Sequence, residues 1–279
     1  MSKLDMYFVQ LDLYLEMIEI LILLYFLIGF SASVIGAMAG LGGGVIIKPV
    51  LDFFGHYDLS TIGVLSAATV LTMSTVSLLQ VKSMHGKLDK SHSLLIAIGS
   101  ILGGFFGKGI YNYSLTLGST TITGVIQSSL LALILVLIFL YMKYKKYMTA
   151  YTVENKSLIL TVGVILGMLS AFLGIGGGPL NVAVLYFLFS MNAKNAVINS
   201  TFIIFFSQLS ALILIACTTG FAIYDLSMLG YMMFGGVLGG LVGSKLIQKI
   251  NNDRIEFIFN VTILLIILVN VFNVVNMLS

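Results

Sequence analysis

The chain has 279 residues, of which 59% are hydrophobic and 9% charged, with a mean hydropathy of +1.09 and a formal net charge of +3. A soluble domain carries roughly 25% charged residues, so this composition excludes an ordinary soluble fold. The positive balance comes from lysines clustered between apolar runs, where such charge fixes membrane orientation, and it gives no ground for a nucleic-acid partner.

No Asp, Glu, Lys or Arg occurs in residues 20–47, 59–81, 109–142, 157–193, 195–224, 226–244 or 257–279. A hydrocarbon core about 30 Å thick takes roughly 20 apolar residues as a helix, and most of these runs reach that length. The runs and their breaks predict five helical pieces per half. In the first half they are about 13–39, a short piece 43–54, then 59–81, 92–112 and 121–142. In the second they are about 157–173, a short piece 178–190, then 194–217, 226–248 and 255–277. Asp5, Asp12 and Glu16 precede the first run without a small-residue cleavage site, so that run is expected to stay as a membrane segment. The lone Cys217 lies in an apolar run and reads as a small buried hydrophobe.

The halves resemble each other. A shift of 134 places Gly29 on Gly163, Ala37 on Ala171, and Gly40 with Gly42–Gly43–Gly44 on Gly174 with Gly176–Gly177–Gly178; nine of 25 positions match from 29 to 53. A shift of 136 places Gly99, Gly103, Gly104 and Gly107 on Gly235, Gly239, Gly240 and Gly243. Spacings of three and four residues put these later glycines on one helix face, which reads as a packing seam. The chain therefore divides into a first membrane repeat (1–142), a basic cytoplasmic linker (143–156) and a second repeat (157–279).

Basic residues fall at Lys82, Lys87 and Lys90, at Lys143, Lys145, Lys146 and Lys156, and at Lys245, Lys249 and Arg254, while loops 113–120 and 218–225 have none. Placing the basic loops in the cytoplasm makes 59–81 run inward and 194–217 outward. The first two pieces of each half then form a re-entrant hairpin tipped by glycine, the halves have inverted topology, and both termini lie outside.

A break in a membrane helix frees backbone groups that are costly against lipid, so it belongs where protein or a watery cavity surrounds it. The amides opening the next helix suit an anion, and Pro179 fits a first helical turn; Pro49 lies deeper and marks a later start or a kink. Inverted repeats with discontinuous helices are the pattern of secondary transporters. Gly42–Gly44 and Gly176–Gly178 are thus expected to face one anion site, against the alternative that they only allow close packing. Lys48 reads either as a counter-charge in the site or as a snorkelling lysine; its counterpart is Val182, so the site would be asymmetric. Lys108 and Lys245 read as snorkelling. The following helices offer Thr69, Thr72, Thr75 and Ser77, then Asn199, Ser200, Thr201, Ser207 and Gln208, although such hydroxyls commonly bond their own backbone. The candidate substrate-binding set is Gly42, Gly43, Gly44, Lys48, Thr69, Thr72, Gly176, Gly177, Gly178, Asn181, Asn199, Ser200 and Thr201.

No Asp or Glu lies within the main runs, His56, His85 and His92 have no metal-ligand spacing, and no hydrolase motif is present. No catalytic residue, metal or cofactor is expected, and the chain is expected not to be an enzyme.

At "GAMAGLGGGVIIKPVL" (36–51), "SAFLGIGGGPLNVAVL" (170–185) and "NAVINSTFIIFF" (195–206), the chain resembles the sulfite exporter TauE/SafE family of permeases, over about 17–277. The resemblance implies a plasma-membrane permease for sulfite, sulfonates or related organic anions, with the glycine clusters and the polar starts of the following helices along the path. Lys48, and Ala67–Ala68 where the second half has Asn199–Ser200, depart from the family's usual look. An anion channel and a non-transporting membrane scaffold remain the alternative functions.

Overall fold

Apolar runs separated by glycine breaks and short polar loops fold into ten helices in the computed structural model, which describes residues 3–81, 87–117, 120–147 and 151–278. They are α1 (Lys3–Ala39), α2 (Gly44–Phe54), α3 (Leu59–Leu79), α4 (Lys90–Leu117), α5 (Thr120–Tyr144), α6 (Lys156–Leu173), α7 (Gly178–Phe189), α8 (Ala193–Cys217), α9 (Leu229–Lys249) and α10 (Asn252–Leu278). No strand occurs among the described residues. All but α2 and α7 are long and apolar enough to cross a membrane, eight in total. Large side chains such as Phe106, Leu133, Phe257 and Leu268 stand on the outer faces, where only lipid makes such exposure favourable. The chain is a polytopic all-α membrane protein. Lys82 and His85 lie outside the described residues.

The element boundaries have local causes. Asp58 accepts from the amides of Ser60 and Thr61 to start α3, and Asn192, its counterpart at a shift of 134, accepts from Asn195 to start α8. Such caps fill amides that the first helical turn leaves unpaired. Pro179 occupies the first turn of α7, whereas α2 continues through Pro49 without starting there. The Pro49 carbonyl accepts from Asn273 of α10 at 3.0 Å.

The two short helices, 11 and 12 residues, are about 17 Å long and cannot span alone. Each turns back beside the helix before it. The Tyr25 hydroxyl meets His56 Nδ1 at 2.8 Å, so α1 at Tyr25 is level with the far end of α2. In the second half, the amides of Tyr151 and Val153 donate to Phe187 and Leu188 at 2.9 and 3.0 Å, which levels the start of α6 with the far end of α7. The base of the first hairpin reaches Ser227 through Tyr57 at 3.2 Å, near the start of α9. The segment 87–89 binds Asn195 and Asn199 near the start of α8, on the side where the second hairpin has its base.

The main packing partners exchange between halves. α4 packs on α6 as α9 packs on α1; α3 meets α9 as α8 meets α4; α2 meets α10 as α7 meets α5. Glycine makes the tightest of these contacts possible. A Cβ on Gly99, Gly103 or Gly107 would run into the backbone of Leu160, Val164 or Met168 in α6. On Gly235, Gly239 or Gly243 it would run into that of Phe26, Phe30 or Val34 in α1. These two seams are the ones the glycine spacing predicts, except that Gly104 meets no atom within 4 Å and Gly240 faces Met73 of α3 instead.

Because Gly103 faces a carbonyl, which cannot rotate aside as a side chain can, Gly103→Ala should cost about 1–3 kcal/mol and lower the melting temperature in detergent. Gly239→Ala should do the same in the other seam, and melting curves of the two purified variants check it.

Candidate functional site

The two breaks are stacked against one another. Gly42, Gly43, Gly176 and Gly177 all have positive φ, between 66° and 79°, a region open to glycine at little cost. Gly44 and Gly178 are glycine for a different reason. A Cβ on Gly44 would lie 2.9 Å from the Ile175 carbonyl oxygen, and one on Gly178 would run into the Leu41 carbonyl. Each loop thus presses its backbone on the other, and both are buried. A Cβ on Gly44 would also lie 3.0 Å from Ser66 Oγ, and one on Gly42 2.9 Å from Ile204 Cδ1. Ser66 and Ile204 sit in the middle stretches of α3 and α8, so the breaks lie deep in the bundle.

Three carbonyls at the breaks are capped by side-chain donors: Lys48 Nζ donates to Leu173 O at 2.6 Å, Gln127 Nε2 donates to Phe172 O, and Ser200 Oγ donates to Gly40 O at 2.7 Å. The amides of Gly42, Gly43, Gly176 and Gly177 have no acceptor among the described residues. Carbonyls are left over as well, since Leu41 O, Gly174 O, Ile175 O and Gly176 O have no donor among the described residues, but the open amides are the groups that suit an anion.

Lys48 crosses from α2 to the break of the other half. Besides Leu173 it donates to Gln127 Oε1 at 2.7 Å, and it is 5% exposed. The ion pairs among the described residues are His92–Asp89 and Lys145–Glu256; no carboxylate is in direct contact with the Lys48 ammonium, and Asp52, one turn on in α2, is the acidic group that acts on it. Removing an ion from water costs several kcal/mol. Each hydrogen bond to a charged group returns about 1.5–3 kcal/mol, and the negative end of α6 adds up to about 2 kcal/mol.

There is room for an anion. A cavity of about 100 Å³ opens beside the second break, with Lys48, Ser170, Gly174, Gly176, Gln127 and Gln208 at its polar end. Its apolar wall comes from Val64 and Ala67 of α3, Ile101 and Phe105 of α4, and Ala211 and Leu214 of α8. Lys108 and Tyr111 continue the lining along α4, the Lys108 ammonium lying 4.7 Å from the Tyr111 ring centre. Ser170 and Gln208 are 4% and 7% exposed, and neither side chain has a hydrogen-bond partner among the described residues. Buried polar groups are ordinarily paired, so both await a ligand or water.

The structure distributes the sequence-predicted residues as follows. It brings Gly42–Gly44 and Gly176–Gly178 together and carries Lys48 to the second break. Asn181 is buried in the first turn of α7 beside Gly177, where a Cβ would lie 3.5 Å from its Nδ2. Thr69 and Thr201 donate to the carbonyls four residues back, Leu65 and Val197, and Thr72 donates to Thr69 O. Asn199 ties segment 87–89 to α8: its Oδ1 accepts from the Asp89 amide at 2.8 Å and Ser93 Oγ at 2.6 Å, and its Nδ2 donates to Lys87 O and Asn195 O. Ser200 caps Gly40. Lys108, read from sequence as snorkelling, lines the cavity. Ser170 and Gln127 are absent from the sequence-predicted set. A lone amide in a transmembrane run marks Gln127 as unusual, but a single serine in a helix carries no comparable signal.

A cavity bearing hydrogen-bond donors beside a helix break, inside a polytopic bundle, is an arrangement found in membrane transport proteins. The family model for the sulfite exporter TauE/SafE matches residues 25–270, and the chain belongs to that family of membrane transporters. It is 26% identical over 248 residues to "Probable membrane transporter protein YunE" of Bacillus subtilis (strain 168), covering 80% of this chain and 88% of that protein. It is 25% identical over 258 residues to "Probable membrane transporter protein MJ0441" of Methanocaldococcus jannaschii, covering 86% and 92%. No solved structure matches the chain.

Lys48→Met would leave the Leu173 and Gln127 oxygens unpaired, at a cost of about 1–3 kcal/mol. Adding Gln127→Leu to Lys48→Met should lower stability by less than Gln127→Leu does alone, because the orphaned acceptor is then removed. Chemical denaturation of the two single variants and the double variant measures this coupling.

Proposed function

We propose that the chain is a secondary transporter for small anions, such as sulfite or sulfonates, and that the cavity at the second break is its substrate site. The observation that carries this reading is the group of donors gathered on one cavity at the second break: the Lys48 ammonium, the unpaired side chains of Ser170 and Gln208, and the open amide of Gly176. Lys48 supplies the counter-charge, and Ser170, Gln208 and the Gly176 region supply neutral donors. Gly42–Gly44 and Asn181 shape the break from the other side. Thr69, Thr72, Asn199, Ser200 and Thr201, taken from the sequence as ligands, hold the frame in this arrangement.

Transport follows from two halves, 1–142 and 157–279 joined by the linker 143–156, that are inverted relative to each other and rock about the breaks. With the basic loops in the cytoplasm, the termini lie outside the plasma membrane, and the cavity, bounded by the start of α3 and the end of α8, faces outward. No bond changes in this cycle. A potential of about 100 mV, negative inside, favours an anion's exit by about 2.3 kcal/mol per charge, so export requires no coupled ion. The sulfite exporter family name supports the sulfur-anion assignment.

In proteoliposomes loaded with labelled sulfite, the wild-type protein should release label, and external sulfite should accelerate the release. The double substitution Ser170→Ala with Gln208→Ala should slow release about tenfold or more while the protein still inserts. Unchanged release from the double variant would refute the cavity as the substrate site.

A further inference from the structure

Gly63 and Gly104 line the cavity, and neither has the reasons that explain the other glycines of the site. Both lie inside helices without positive φ, and a Cβ on either meets no atom within 4 Å. Glycine inside a helix is less favourable than alanine, so a glycine with no strained turn and no close neighbour weakens its helix and leaves only space behind.

The other half makes the space conspicuous. Gly240 matches Gly104 at a shift of 136, and a Cβ there would lie 2.9 Å from Met73 O of α3; on Gly236 it would lie 2.8 Å from Thr69 O. α9 is therefore shut against α3. α4 and α8, the corresponding pair, touch at Ser93 and Asn199, but at Gly104 they have drawn apart around the cavity. Gln208, nine-tenths buried and without a partner, lines that gap with Ser170 and Lys48.

We propose that Gly63 and Gly104 are specificity-determining residues that set the length of the apolar tail the transported anion can carry. The charged head sits at Lys48, Ser170 and Gln208. The tail lies between α3, α4 and α8 along Val64, Phe105 and Leu214, in the slot that the two missing side chains leave open. This inference rests on the anion-site reading above. It adds that size selection is written at two positions where a side chain can be added without disturbing the fold.

The test uses purified full-length protein and a ladder of alkanesulfonates from methanesulfonate to hexanesulfonate, all monoanions with one head group. Affinities come from thermal stabilisation of wild type, Gly63→Ala, Gly104→Ala and Gly104→Val. The expected result is that wild type binds both ends of the ladder and that hexanesulfonate affinity, relative to methanesulfonate, falls roughly tenfold or more in Gly104→Val. The alanine variants should lie between, and no variant should melt below wild type without ligand. An unchanged ratio overturns the proposal, as does a lowered unliganded melting temperature, which would give these glycines a packing role. Wild type that binds methanesulfonate alone overturns it too. Wild type that binds neither sulfonate overturns the anion-site reading and this proposal together, so the two failures are distinguishable.

Discussion

One ammonium group holds the centre of this protein in place. Lys48 starts on the short helix of the first half and ends on the last carbonyl of α6 in the second, with Gln127 bridging to the carbonyl before it. Without these donors α6 would end deep in the bundle with unpaired oxygens, a costly condition where water is scarce. The same bonds bring a cation to a glycine break whose amides are already unfilled. Charge placement and backbone satisfaction are thus one arrangement.

The duplicated halves share their frame and differ in their chemistry. Caps, hairpins and glycine seams recur at corresponding positions, which is why the packing partners exchange. Lys48 has Val182 as its counterpart, and the two breaks consequently differ: the second lines a cavity, the first faces the side chains of Ile204 and Val197. Lys48, which has no lysine counterpart in the other half, lines the cavity at its polar end. The closed pair α3–α9 and the parted pair α4–α8 express the same asymmetry at the level of helices.

Much of the frame was legible because its causes are local. Runs without charge gave the helices, and spacings of three and four identified the seams at Gly103 and Gly239. Positive φ at Gly42 and Gly176 follows from glycine placed where a helix must break. For Pro49 the sequence left a later start and a kink open, and α2 begins at Gly44 and runs through it. The site was less legible because its partners are distant in sequence: Lys48 and Gln127 are separated by 79 positions, Lys48 and Leu173 by 125. Gly104 and Gly240 look alike in the chain and differ only in whether the facing helix has moved away. Asn199 looked like a ligand by residue type, yet it ties down a loop with every polar atom of its side chain.

The most direct measurement is anomalous X-ray scattering from crystals of the protein grown with selenite, the selenium counterpart of sulfite. The account predicts a selenium peak in the cavity, placed so that the selenite oxygens accept hydrogen bonds from Lys48 Nζ, Ser170 Oγ and Gln208 Nε2. An empty cavity at saturating selenite, or a peak confined to the outer loops, would contradict it.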